Sequence, residues 1–211
     1  APVVLNSEGI FGFGYTSSHV SMTNLVTNAG VVGTDVTGVG TGREVPGACE
    51  YGGDKAIFGY GEPTTAITNL VSNAGVVATD TTGVGTARYG IAACSYGNDK
   101  GIFGYGSTGS VVSMTNLVSN AGVVATDVTG VGTTRYYLAA CEYGGDKGIF
   151  GFGNNGGTKY GVTNLVSNTG VVGTDVSAVG TARTYIAACG YGEDKGIFGF
   201  GDDGSYAGET N

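Results

Sequence analysis

The chain has 211 residues, 43 of them glycine and 3 proline, with 41% hydrophobic residues and a formal net charge of -8. That hydrophobic share supports a packed core, while the glycines, far above the usual share of about 7%, follow no Gly-X-Y period and exclude a collagen helix. Charged residues make up only 12% and the balance is acidic, which excludes the concentrated basic face that nucleic acid or an anionic membrane requires. No apolar run reaches the roughly 18 residues of a membrane-spanning helix.

The opening "APVVLN" lacks an initiator Met, as expected of a processed chain, a fragment or a segment taken without its start. From there the chain repeats itself. The word IFG[FY]G begins at Ile10, Ile57, Ile102, Ile149 and Ile197, at spacings of 47, 45, 47 and 48 residues. A second word, TNLV[ST]N, begins at Thr23, Thr68, Thr115 and Thr163, and a third closes on Arg43, Arg88, Arg135 and Arg183. This period fits propeller blades or long helical repeats. The words are built from Val, Ile, Thr, Phe, Tyr and Gly and are joined by GGDK, GNDK and SNAG, which are strand and hairpin signals.

Each repeat reads as four short strands, a to d. Where the words are best defined, strand a is expected at Tyr137 to Gly144, b at Ile149 to Gly153, c at Val162 to Asn168 and d at Val171 to Val176. Such a sheet buries its faces only by packing against its neighbours. The strand-b glycines suit a position where backbones approach closely. The repeats span about 1–43, 44–88, 89–135 and 136–183, with a partial repeat at 184–211, all within one domain.

The order Arg, small apolar pair, Gly-containing hairpin and aromatic strand ending in Gly resembles the kelch motif, and Thr68 to Arg88 is similar to kelch strands c and d with their closing Arg. Val stands where kelch strand d usually carries Trp, and the double Gly is spread as G-[FY]-G. The resemblance implies an all-β, kelch-like β-propeller of about 46-residue four-stranded blades. Five blades are expected, the last completed by the N-terminal PVVLN. Alternatively, the spare terminal hairpin docks into another molecule as an unpaired edge. The near-identical array also resembles structural or fibre proteins of aquatic bacteriophages, which implies an extracellular or virion-surface location.

The a-to-b and c-to-d turns barely change between repeats, whereas the b-to-c segments and the residues after each Arg differ in length and content. Antiparallel strands place both variable classes on one face, where loops carry function on a rigid scaffold. Tyr15, His19, Tyr89, Tyr136, Tyr137, Tyr160, Tyr185 and Tyr206 fall there and form the expected ligand-binding surface for a glycan or protein, because Tyr offers flat apolar area with a polar tip.

No catalytic constellation is read. Cys49, Cys94, Cys141 and Cys189 occur once per repeat without C-x-x-C spacing and are expected as buried free thiols. The Asp-Lys pairs from Asp54-Lys55 to Asp194-Lys195 read as turn residues, and Arg43, Arg88, Arg135 and Arg183 with Asp35, Asp80, Asp127 and Asp175 as exposed ion pairs between blades, each contributing about 0 to 1 kcal/mol. His19 is the one histidine, so a repeated histidine site is excluded. The expectation is a non-enzymatic structural or adhesion module without cofactor or metal, the alternative being a filament-forming subunit without ligand.

Overall fold

A computed structural model describes residues 8–205, 208, 210 and 211. Among them the chain is all-β, with no helix and no closed barrel. Strands β1 (Gly9–Tyr15) and β2 (His19–Val26) form a two-stranded sheet. Three sheets of three antiparallel strands follow: β3 (Gly47–Tyr51), β4 (Lys55–Gly59) and β5 (Thr68–Val71); β6 (Ala92–Tyr96), β7 (Lys100–Gly104) and β8 (Thr115–Val118); β9 (Ala139–Tyr143), β10 (Lys147–Gly151) and β11 (Thr163–Val166). The hairpin of β12 (Ala187–Tyr191) and β13 (Lys195–Gly199) is the last sheet. Thr210 bridges Gly199, and Phe198 and Asn211 exchange both backbone hydrogen bonds, so a further strand c begins where the repeat places it. The N-terminal PVVLN, expected to complete a blade, lies outside the described residues.

The successive a strands β3, β6, β9 and β12 pack side by side in that order. Alternation decides what each face meets: in β3, Gly47, Cys49 and Tyr51 are buried while Ala48 and Glu50 are exposed. The a-to-b turns are tight because both central residues adopt positive φ, Gly52 and Gly53 at 64° and 77° and Gly144 and Gly145 at 61° and 79°, the geometry of a hairpin turn that matches strand twist.

Strand d is reduced to two bridges per repeat, as in Thr163 to Val176 and Val166 to Val172. The cause is the Asn of the TNLV word. Asn164 turns its side chain into the c–d seam, where Nδ2 donates to Gly173 O at 3.0 Å and Asp175 Oδ1 at 2.9 Å, replacing ladder bonds with side-chain bonds. Strand b also ends early, because the aromatic residue between the two glycines is left-handed, with φ of 63° at both Tyr60 and Tyr105.

These departures build the joint between repeats. Phe103 packs edge-on against Tyr60 with ring centroids 5.2 Å apart, and Phe150 meets Tyr105 in the same way. A Cβ on Gly59 would lie 2.8 Å from the Phe103 ring, so the strand-b glycine is a socket for the next repeat's phenylalanine. A polar clip lies beside it. Arg88 is fully buried, stacks over Tyr60, donates through Nη1 to Thr86 O at 3.0 Å and through Nη2 to Asn116 Oδ1 of the next repeat. Asp127 of that next repeat accepts the Thr86 amide and hydroxyl. The expectation of exposed ion pairs is therefore corrected. The arginines are buried, and Arg88 to Asp127 at 3.7 Å is one edge of a hydrogen-bonded knot. Asp35 pairs with Asn24 of its own repeat instead.

The cysteines belong to the same joint. A Cβ on Gly101 would lie 2.5 Å from Cys49 Sγ, and one on Gly148 would lie 2.5 Å from Cys94 Sγ, so each thiol fills the space above a glycine of the next repeat. All four are free; Cys49, Cys94 and Cys141 are buried, but Cys189 is exposed. That corrects the expectation for Cys189, which lies in the last hairpin with no described repeat above it.

Candidate functional site

The variable segments meet at one end of the sheets. The residue after each Arg bridges the start of a b-to-c segment: Glu44 to Glu62, Tyr89 to Ser107, Tyr136 to Asn154 and Thr184 to Asp202. The constant turns gather elsewhere. Asn120 donates to Asp99 across the two turns of one repeat, and the Gly52 amide donates to Asp99 O of the next.

Four of the expected ligand-binding tyrosines come together at the variable end. Tyr137 lies 4.4 Å from Tyr136 and 4.4 Å from Tyr185 by ring centroids, with interplanar angles of 35° and 30°. Tyr89 approaches Tyr136 edge-on at 6.2 Å and Tyr137 at 6.3 Å. The backbone aims this cluster: Tyr137 and Tyr185 carry φ of 51° and 53°, sparsely populated values for residues with a Cβ. They are held there by bonds from the Tyr137 amide to Gly90 O at 2.8 Å and from the Tyr185 amide to Tyr137 O at 3.0 Å. Gly90 occupies the equivalent place, and a Cβ there would lie 3.1 Å from the Tyr137 ring. A side chain at Gly90 would therefore push the cluster apart.

Tyr185 is 60% exposed, while Tyr89, Tyr136 and Tyr137 are half-buried. Burial pushes the Tyr137 hydroxyl up to about 12, with the neighbouring Tyr185, Tyr89 and Tyr136 and the charge of Glu44 adding to it. Burial, then Tyr185 and Tyr89, raise Tyr136. The Tyr136 and Tyr137 phenols are neutral donors and acceptors beside the exposed Tyr185 ring, which suits stacking against an apolar ligand face with hydrogen bonds at its edge.

The other expected site residues lie apart from this cluster. Tyr15 is 58% exposed and meets His19 edge-on at 5.3 Å, and His19 Nε2 lies 3.7 Å from Glu44 Oε1. The Tyr160 hydroxyl accepts a bond from Asn155 at 2.8 Å within its own loop. Tyr206 lies outside the described residues.

A second concavity was not foreseen. Strands β3, β6, β9 and β12 together line a cavity of about 410 Å³ that includes Glu50, Ser95, Glu142 and Gly190. The strands around this concavity desolvate the Glu50 carboxyl and raise it although the residue keeps contact with solvent; desolvation and then the Glu50 charge raise Glu142, against a hydrogen bond from Ser95. The sequence signal was the residue after each Cys, which changes from Glu to Ser to Glu to Gly between otherwise constant neighbours. Among the described residues, no three His, Cys, Asp or Glu side chains are grouped to hold a metal ion, and no helix is long and apolar enough to cross a membrane. No family model matches the chain, and no curated protein matches it significantly.

Proposed function

We propose that this chain is a non-enzymatic recognition module whose tyrosine cluster binds a glycan or a protein segment through stacking and edge hydrogen bonds. The observation that carries this reading is the convergence of Tyr89, Tyr136, Tyr137 and Tyr185, supplied by the variable positions of three successive repeats, on joints that are otherwise constant.

In this reading the sheets are blades of a kelch-like propeller and the cavity lined by the four a-strands is its axial space. Display outside a cell or on a virion, as a structural or adhesive element, accords with variation held to one end of a rigid array. Of the two ligand classes, a glycan is the better fit: sugar rings present an apolar C–H face that suits stacking on Tyr185, the exposed ring at the end of the stack.

Glycan-array binding followed by titration tests the proposal. The double variant Tyr136→Ala, Tyr137→Ala is expected to lose binding at least about tenfold while still unfolding in one cooperative transition, its midpoint lowered by the loss of these half-buried ring contacts. Unchanged binding in that variant would overturn the assignment of this face.

A further inference from the structure

The first and last described repeats each carry one half of the joint that links all the others. Phe58, Phe103, Phe150 and Phe198 are the knobs of that joint, 4%, 0%, 0% and 6% exposed. Their sockets are Gly12, Gly59, Gly104 and Gly151, where an added Cβ would lie 2.7 to 3.0 Å from the incoming ring. Phe13, Tyr60, Tyr105 and Phe152 flank those sockets with ring centroids 5.1 to 5.4 Å from the knob.

Phe11 holds the knob position of the first repeat and is 64% exposed. At the other end, Gly199 is a socket in which an added Cβ would meet only Thr210 within 4 Å, and its flanking ring Phe200 is 63% exposed. Tyr191 is 54% exposed, whereas its equivalents Tyr51 and Tyr96 are 5% and 3% exposed. In the middle of the array those tyrosines are roofed by Gly122 and Gly170 of the next repeat, 3.0 and 2.9 Å from the ring for an added Cβ. Gly30, the equivalent of these in the first repeat, has nothing within 4 Å.

We infer that these two surfaces bind each other between copies of the chain, with Phe11 of one copy entering the Gly199 socket against Phe200 of another and the Gly30 turn covering Tyr191. The occupant is a second copy because knob, socket and roof are the residue types that already join repeats within the chain, in the same relative order. The joint is heterologous, so it propagates into rows or closes into rings of copies. The contact as proposed is apolar, formed by knob, socket and roof, and its population depends on concentration.

Sedimentation velocity of residues 1–211 over a hundredfold concentration series is the test. The wild type is expected to grow in mean mass with concentration, and Phe11→Asp and Phe200→Asp each to remain monomeric. Mixing the two variants in equal amounts is expected to yield dimers and nothing larger, because Phe200→Asp still offers its knob and Phe11→Asp still offers its socket. Both positions are solvent-exposed, and far-UV circular dichroism verifies that the variants fold. A wild type that stays monomeric throughout overturns the inference and indicates closure within one chain or none. Growth that both variants retain, or a mixture without dimers, overturns it equally. The readout is mass, so it is independent of ligand binding at the tyrosine cluster.

Discussion

Arg88 lies over the ring of Tyr60, with its guanidinium carbon 4.5 Å from the ring centroid, and both side chains are fully buried. Arg43 over Phe13, Arg135 over Tyr105 and Arg183 over Phe152 repeat the contact at 4.0, 4.4 and 4.9 Å. The left-handed backbone of the aromatic residue makes the stack possible, because it turns the ring out of the strand and under the guanidinium.

Removing such an arginine leaves Asn116 Oδ1 and Thr86 O without their donors inside the joint. Arg88→Met is expected to lower stability by about 3 kcal/mol, the scale for breaking a buried charged network from one side. Arg88→Lys recovers little of that loss, since Lys lacks the planar fork that stacks and donates at once. Urea unfolding followed by tyrosine fluorescence measures both.

The sockets make a paired prediction about glycine. A Cβ on Gly104 would sit 2.7 Å from Phe150, whereas Gly157 has open space around it and no positive φ. Gly104→Ala is expected to destabilise by about 1 to 3 kcal/mol through overpacking. Gly157→Ala is expected to stabilise by about 0.4 to 1 kcal/mol through the unfolded chain. Equal effects in denaturant titrations would refute the socket.

Thiol chemistry distinguishes the cysteines. Burial pushes Cys49 up to about 12 and raises Cys94 well above the usual range, while burial and then the neighbouring Cys189 bring Cys141 to about 11. A thiol held neutral and covered is inert. Ellman's reagent at pH 7.5 is expected to react with Cys189 alone in the native protein and with all four residues in urea.

Acid acts on two sets of carboxyls in opposite directions. Burial favours the neutral form of Asp80, Asp127 and Asp175, but bonds from Thr side chains, Asn side chains and Thr amides, together with the Arg charge, hold all three below the usual range. A depressed carboxyl contributes stability above its unfolded value of about 3.9, and that contribution is lost as pH falls through its lower folded value. The unfolding midpoint is therefore expected to drop steeply below about pH 4, and Asp127→Asn to flatten that drop. Glu50 and Glu142 are raised instead, so they weaken the fold above their folded values and are relieved on protonation. Glu142→Gln is expected to raise the midpoint at pH 7 and to leave it unchanged at pH 3.

Much of the scaffold was legible because each word recurs in the same order. Repetition located the hairpin of β9 and β10, and the variable segments after Arg88 and Arg135 were correctly expected to meet the b-to-c loops. The polar clip was not legible. Asn69, Asn116 and Asn164 read as ordinary strand residues, since nothing local shows a side chain displacing ladder bonds, and a clip partner such as Asp127 lies 41 residues from Thr86. The arginines were read as exposed for a related reason: their burial depends on an aromatic ring turned by left-handed backbone, and a Phe or Tyr between glycines does not announce its φ. Of the expected binding residues, Tyr15 meets His19, which lies beside Glu44, and Tyr160 bonds Asn155, so these three stay apart from the tyrosine cluster. Those directly after the arginines are instead carried together by the packed a-strands.

The clip between repeats is indifferent to which repeats it joins. Thr86 and Arg88 hold Asp127 and Asn116 as Thr133 and Arg135 hold Asp175 and Asn164. Excision of residues 89–135 in frame would bring the first pair of fasteners onto the second pair of acceptors with the chain direction and spacing intact. The molecule can therefore be lengthened, shortened or reshuffled by whole units, and each exchange would transplant one decorated edge while the weld beneath it stayed the same.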